Sequence, residues 1–444
     1  MKTLLEVITP VKKKLLVEIE PEEVSKKLNE TYKELNQRAK VQGFRPGKVP
    51  RRILEAYYGA QVAEDVARDL VKETLPKAVE ETKTFPLTFP AVENEILKEG
   101  QGFKYSAVME VKPEFELKDY IGLEVEKETI HVTDQDVQKH LEEIRKANGK
   151  LNPVGEARGI KENDYVIIDY EGFQGATPIE GIKAENFLLR VGSDEFHQDF
   201  EKALIGHQAG DMIHIHVKFD DTYYHAGLAG KEVDFKVKVT EIKELELPEL
   251  NDDFAKNLGA DFNDLGGLKE KIREELIARE KKRVEKEMKR RLLKKISDRV
   301  DFELPECLIE SEIDYGISSL RSNFVRMGST LEKAGLKQER LREEFRPASK
   351  RRVKELLILG EIARQNDLTV DDTEVEDGFR EMAVSMSQDP QVLRRYYEAN
   401  QLLDSFKERL LEEKTLNYLI KGAKIQKIEA SKLVPAEQEA KPLE

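Results

Sequence analysis

A single cysteine, Cys307, stands in a chain of 444 residues. One thiol excludes an internal disulfide and any zinc site built from several thiolates. A reduced, cytoplasmic setting is the simplest reading of that scarcity. No run of about 18 apolar residues occurs, so neither a transmembrane helix nor a membrane partner is expected. Residues 1–20 alternate apolar and charged side chains and lack the apolar core of a secretory signal. Positive charge is in the minority: Lys plus Arg number 74 and Asp plus Glu 88, a net charge of −14. That balance argues against wholesale nucleic-acid binding but leaves a local basic loop free to dock on RNA. Enzyme signatures are missing as well. There is no P-loop, no HExxH and no GxSxG, and the seven histidines are scattered. No cofactor and no metal are expected.

What is present reads as a multidomain α+β chain. The length suggests about three domains. Charged residues reach 36%, above the roughly 25% of an ordinary soluble protein, so an elongated, helix-rich shape is expected. Residues 1–112 form an α+β unit. Strand-like runs break at Pro10, Pro21 opens a helix, and Val24, Leu28, Tyr32, Leu35 and Ala39 recur at helical spacing. A second helical pattern carries Val62, Val66, Leu70 and Leu75. Residues 113–150 are a charged, extended connector with a helix over Thr133–Ala147, where Thr133 and Asp136 have capping-box spacing. Residues 151–248 are β-rich: glycines cluster, and Tyr165–Tyr170, Met212–Val217 and Val233–Val239 alternate. A short helix, Phe196–Leu204, interrupts them. Residues 249–430 read as helix to about Ile428. A narrow stripe from Leu268 to Ile296 points to one long helix of about 48 Å, with the helix opened by Pro305 as its expected partner. The polar tail, 431–444, is expected to be disordered.

The sharpest local signal is Gly43-Phe44-Arg45-Pro46-Gly47-Lys48-Val49-Pro50. Two glycines and two prolines in eight residues forbid helix interior. A stiff loop presenting Phe44 between Arg45 and Lys48 suits a site where RNA phosphate meets a protein surface. An ordinary helix–helix turn with solvated charges is the alternative on turn chemistry alone. His214 and His216 lie two apart on one strand face, a spacing open to a metal or to plain solvation. The run Lys281–Lys295 carries nine cations against two acids and needs no function as a solvated helix face. Cys307 reads as a structural thiol.

The octapeptide resembles the GFRxGxxP signature of bacterial trigger factors, and the order of the remaining parts is similar across nearly the whole chain. That resemblance implies an N-terminal α+β ribosome-binding domain and an FKBP-like β-rich middle domain. It also implies an all-α C-terminal domain with long helical arms, against which the connector packs. Phe44, Arg45 and Lys48 become the ribosome-binding residues. The partners implied are the large ribosomal subunit near the tunnel exit (protein and RNA), nascent and unfolded polypeptides, and a second copy in a homodimer off the ribosome. The activity implied is that of an ATP-independent chaperone with peptidyl-prolyl cis-trans isomerase function. Clients would meet apolar side chains between the C-terminal helices and the first domain. The rival reading is a free-standing prolyl isomerase whose other domains recruit clients. The isomerase pocket implied comprises Tyr170, Ile179, His197, Phe200, Tyr224 and Phe235. Three departures stand out. Pro46 follows the Arg where the family often has Lys, Ile179 stands where it usually has Phe, and Phe196–Asp199 replaces an apolar, Gly-containing stretch. His197 falls where a backbone N–H normally holds the substrate carbonyl. A cup less aromatic and wetter than the family pattern implies weaker isomerase activity.

Overall fold

The computed structural model describes residues 1–429 except 46, 95, 99, 156–157, 176, 195, 221–222, 224–227, 229, 260–262 and 333. The expected disordered tail, 431–444, lies outside the described residues, as do Pro46 and Tyr224. The chain divides into two compact units. One gathers residues 1–125, 289–328 and 337–425; the other gathers 126–288, 329–336 and the described residues from 426 on.

In the first unit, strands β1 (Lys2–Thr9) and β2 (Lys12–Ile19) precede helices α1 (Pro21–Arg38) and α2 (Arg51–Thr82), then β3 (Ala91–Asn94) and β4 (Phe103–Glu110). The antiparallel sheet runs β1-β2-β4-β3. Period-2 alternation sets its inner face: Leu15, Val17 and Ile19 pair across to Ala107, Tyr105 and Phe103, and all six are buried. These side chains share one core with Val24, Leu28 and Tyr32 of α1 and Val62, Val66 and Leu70 of α2. Pro21 occupies the first turn of α1, where its missing N–H costs nothing.

The second unit contains α3 (Asp134–Ala147), β6 (Lys150–Pro153), β7 (Tyr165–Gln174), β8 (Thr177–Arg190), α4 (Gln198–Leu204), β9 (Met212–Lys218) and β10 (Glu232–Glu246), with β5 (Glu124–Glu128) leading into it. The capping box at Thr133 and Asp136 forms. β10 is the spine of a five-stranded sheet, with β7 on one edge and β6 and β9 sharing the other. The sequence showed β7, β9 and β10 but not β8. Register shifts in the β7–β8 pairing, between Ile168 and Tyr170 and between Glu171 and Phe173, explain the omission. Bulges break the alternation by which a strand is recognised.

The rest is helical: α5 (Asp252–Leu258), α6 (Leu265–Ser297), α7 (Glu306–Arg326), α8 (Gln338–Gln365), α9 (Asp372–Met386), α10 (Pro390–Ala399) and α11 (Leu403–Gly422). At 33 residues, α6 is about 50 Å long. Its expected pairing with the helix after Pro305 is not the main one. Leu268 and Ile272 instead join Val137 and Leu141 of α3 and Phe254 and Ala255 of α5. The partner of α7 is α8, and charges match across the pair at helical spacing: Arg342 bonds Glu310 and Asp314, and Arg346 bonds Glu306 and Glu310. Phe379 and Phe406 stack at 4.2 Å to join α9 and α11. The chain after α11 is not helix to Ile428, as the sequence suggested, but strand β11 (Lys424–Ile428), whose Lys424 N–H donates to the Leu123 carbonyl at 2.9 Å.

Gly316 tests the α7–α8 contact. A Cβ there would lie 2.7 Å from Cδ1 of Phe345. Overpacking costs about 1–3 kcal/mol, which outweighs the gain of roughly 1 kcal/mol that Gly→Ala brings in an exposed helix. Gly316→Ala is therefore expected to lower the melting temperature, and a rise in a thermal scan would contradict the packing.

Candidate functional site

The loop between α1 and α2 is clamped at its base by one residue. Asn36 accepts the Gly47 N–H on its carbonyl at 2.8 Å and the Val49 N–H on Oδ1 at 3.1 Å. Further in, Phe44 N–H donates to the Val41 carbonyl and Lys48 N–H to the Arg45 carbonyl. Val41 and Val49 are buried at the two ends, 8% and 3% exposed. Gly43 (φ 89°) and Gly47 (φ 84°) take left-handed conformations that side chains disfavour. Between these anchors Phe44 is 40% exposed, and Arg45 and Lys48 are exposed beside it. The Arg51 guanidinium sits 3.6 Å from the Tyr32 ring centroid and bonds Asn29, which ties the start of α2 to α1. The sequence marked the loop tip but not Asn36, whose role depends on a contact across 13 residues.

In the second unit, three of the expected pocket residues come together from three elements. Tyr170 of β7 lies 6.3 Å from Phe200 of α4 and 6.2 Å from Phe235 of β10, with Phe200 and Phe235 5.2 Å apart, ring centre to ring centre. Gly172 permits this approach, since a Cβ there would lie 3.2 Å from the Phe235 ring. Ile179 of β8 is half-buried against the same core. His197 caps α4, and its Nδ1 accepts the Asp199 N–H at 3.3 Å. Its ring lies 5.1 Å from Phe219 and 6.1 Å from Tyr223.

Four aromatic side chains outside the pocket that the resemblance implies join the cluster. Phe187 lies 5.6 Å from Tyr170, and Phe196 lies 4.3 Å from Phe200. Phe219 lies 6.3 Å from Phe235, and the Tyr223 hydroxyl donates to the Phe196 carbonyl at 3.3 Å. Phe219 continues the buried alternation Ile213, Ile215, Val217, a signal that could have found it. Phe196 precedes the helix rather than opening it, since α4 starts at Gln198. Freed from helical geometry, its ring turns onto Phe200. The cup is thus more aromatic than the sequence suggested.

The remaining candidates are explained locally. His214 and His216 are exposed, and His216 Nδ1 lies 2.8 Å from Asp234. Among the described residues no group of three or more His, Cys, Asp or Glu could hold a metal. In the basic run, Arg283 bonds Glu128 and Glu280, and Lys295 donates to the Glu124 carbonyl. Asp164, 6% exposed, accepts from Arg158 and from the Lys161 N–H. Burial pushes its carboxyl up, but those bonds outweigh burial and hold it below the usual range.

Comparison with known proteins places the chain. The family model for the FKBP-type peptidyl-prolyl cis-trans isomerase matches residues 156–240, so the cup belongs to an FKBP-type domain. The model for the bacterial trigger factor protein matches residues 1–144, and that for the trigger factor C-terminus matches 264–421. Trigger factor of Geotalea uraniireducens (strain Rf4) is 34% identical over 434 residues, covering 98% of this chain and 100% of the relative. Trigger factor of Syntrophotalea carbinolica (strain DSM 2380) is 36% identical over 434 residues, covering 98% of each. A solved structure from work on promiscuous substrate recognition by the trigger factor chaperone shares the fold. Its TM-score is 0.50 at 21% identity, over 95% of this chain and 99% of that one. The chain belongs to the trigger factor family, the ribosome-associated chaperones that carry an FKBP-type domain.

Cys307 lies half-buried in the first turn of α7, its N–H donating to Glu110 Oε2 at 2.7 Å. Burial first, then the Glu110 carboxylate acting on the thiol itself, push it up to about 11. Only the thiolate reacts, so alkylation at pH 7.5 should run about a hundredfold slower than for free cysteine and accelerate as pH climbs toward that value. A rate equal to free cysteine in an iodoacetamide time course would contradict this environment.

Proposed function

We propose that the loop bearing Phe44, Arg45 and Lys48 is the contact with the large ribosomal subunit near the tunnel exit, in the cytoplasm. The observation that carries this reading is the clamped base with an exposed tip: Asn36 and the two buried valines hold the backbone while the three side chains face outward. A preset loop loses little entropy on docking. The planar Arg45 fork suits phosphate oxygens, Lys48 adds a point charge, and Phe44 supplies apolar area against ribosomal protein. Nascent chains are sheltered by many weak apolar contacts, which bind diverse unfolded segments without reading sequence. Tyr315, Val325, Met327, Val384, Met386, Val392 and Tyr396, all exposed, lie in the same compact unit as the loop and support this role. Release without nucleotide follows when the client buries its own apolar surface. Off the ribosome the chain forms a homodimer, a reading supported by Leu4, Val7 and Ile8 exposed on the edge strand β1.

The aromatic cup is the isomerase site. Rotation about a prolyl bond meets a barrier of about 18–20 kcal/mol because resonance gives C–N partial double-bond character. No nucleophile is required. A dry cup formed by Tyr170, Phe200 and Phe235 favours the twisted state, in which resonance and charge separation fall. The His197 N–H holds the acyl carbonyl, and Tyr224 is assigned to the cup by family resemblance. Ile179 and the polar His197 ring leave the cup less complete than the family pattern, so turnover is reduced. The rings of Phe196 and Phe187 make up part of the difference.

Phe44→Ala, Arg45→Ala and Lys48→Ala together should abolish pelleting with ribosomes while the circular dichroism spectrum is unchanged. Unaltered pelleting would reject the docking assignment. In a proline-peptide assay the unmodified chain should turn over, and Ile179→Phe should raise kcat/KM about threefold, the worth of one added aromatic pair. A decrease would reject the placement of Ile179 at the cup.

A further inference from the structure

Glu201, on α4, is 1% exposed. A buried carboxylate is strongly disfavoured unless its oxygens are satisfied. Among the described residues no cation lies within ion-pairing distance of it. Three backbone donors replace one. Gly192 N–H donates to Oε2 at 2.7 Å, Asp194 N–H to Oε2 at 3.2 Å, and Phe196 N–H to Oε1 at 3.0 Å. Gly192 (φ 86°) and Asp194 (φ 60°) adopt left-handed conformations, so the turn after β8 winds around the carboxylate. The N–H groups of alternate residues are consumed. The His197 N–H has no partner among the described residues. On its other side, the Tyr223 hydroxyl holds the Phe196 carbonyl at 3.3 Å. In a trans peptide the carbonyl of Phe196 and the N–H of His197 point in opposite directions. Fixing the Phe196 N–H and the Phe196 carbonyl therefore fixes where the His197 N–H points.

We propose that Glu201 is a positioning residue for prolyl isomerisation: without touching substrate, it presets the backbone donor of His197 and the ring of Phe196 that borders it. This rests on the isomerase reading of the cup and adds the element that makes the donor rigid. A donor aimed in advance favours the twisted state because it need not reorganise during rotation.

The test is steady-state kinetics of the full chain on a proline peptide, with the His197 amide followed by nuclear magnetic resonance. Glu201→Gln keeps the shape but sets an amide donor against backbone donors. It should lower kcat about tenfold, within the range expected for small misplacements, leave KM within about twofold, and shift the His197 amide signal. Gly192→Ala strains the same turn from its exposed side and should show the same split; it decides the matter if Glu201→Gln does not fold. Asp164→Asn also removes a buried carboxylate from this unit, but one bonded elsewhere, and should keep kcat. Unchanged kcat in Glu201→Gln and Gly192→Ala, or an equal loss in Asp164→Asn, would overturn the proposal while the isomerase reading stands. Absence of turnover in the unmodified chain would overturn both.

Discussion

A loop can serve as a docking point only if its backbone stays fixed while its side chains face solvent. Here that constraint is met by Asn36. Its carbonyl and its side-chain oxygen each take one backbone donor from the returning strand of the loop. Val41 and Val49 add apolar anchors. The tip is then free to expose an aromatic ring and two cations without an ordering cost at the moment of contact. An exposed Phe beside exposed charges would otherwise be an unexplained liability; on a fixed loop it suits the proposed contact.

The same logic recurs in the FKBP-type domain. The cup is built by residues from separate elements whose positions are fixed by the long β10 spine. Phe235 pairs in register with Gly172 on one side and Ile215 on the other. In the proposed isomerase reading, aromatic packing supplies a low-dielectric lining and a few backbone groups supply direction. Chemistry that only lowers a rotational barrier needs no more than that.

Much of this was legible in the sequence because it depends on neighbours in the chain. Pro21 at the first turn, the Thr133–Asp136 capping box and the alternation of β9 and β10 are local signals. The octapeptide is local too. What stayed hidden depends on contacts across the fold. Asn36 looks like any helical asparagine until Gly47 and Val49 return to it. Glu201 looks like a solvated helix acid until a turn closes over it. The bulges of β8 erased its period, and the pairing of α7 with α8, with its matched ion pairs, is contained in no single window. The sequence places Phe196 in the helix, but α4 starts two residues later, which lets its ring turn onto Phe200.

The most direct test of the account is site-specific photo-crosslinking on purified ribosomes. A photoreactive amino acid at position 44 should crosslink to a component of the large subunit, while one at position 57, whose tyrosine is exposed elsewhere on the same unit, should not. Crosslinks from position 57 with none from position 44 would contradict the claim that this loop anchors the chain.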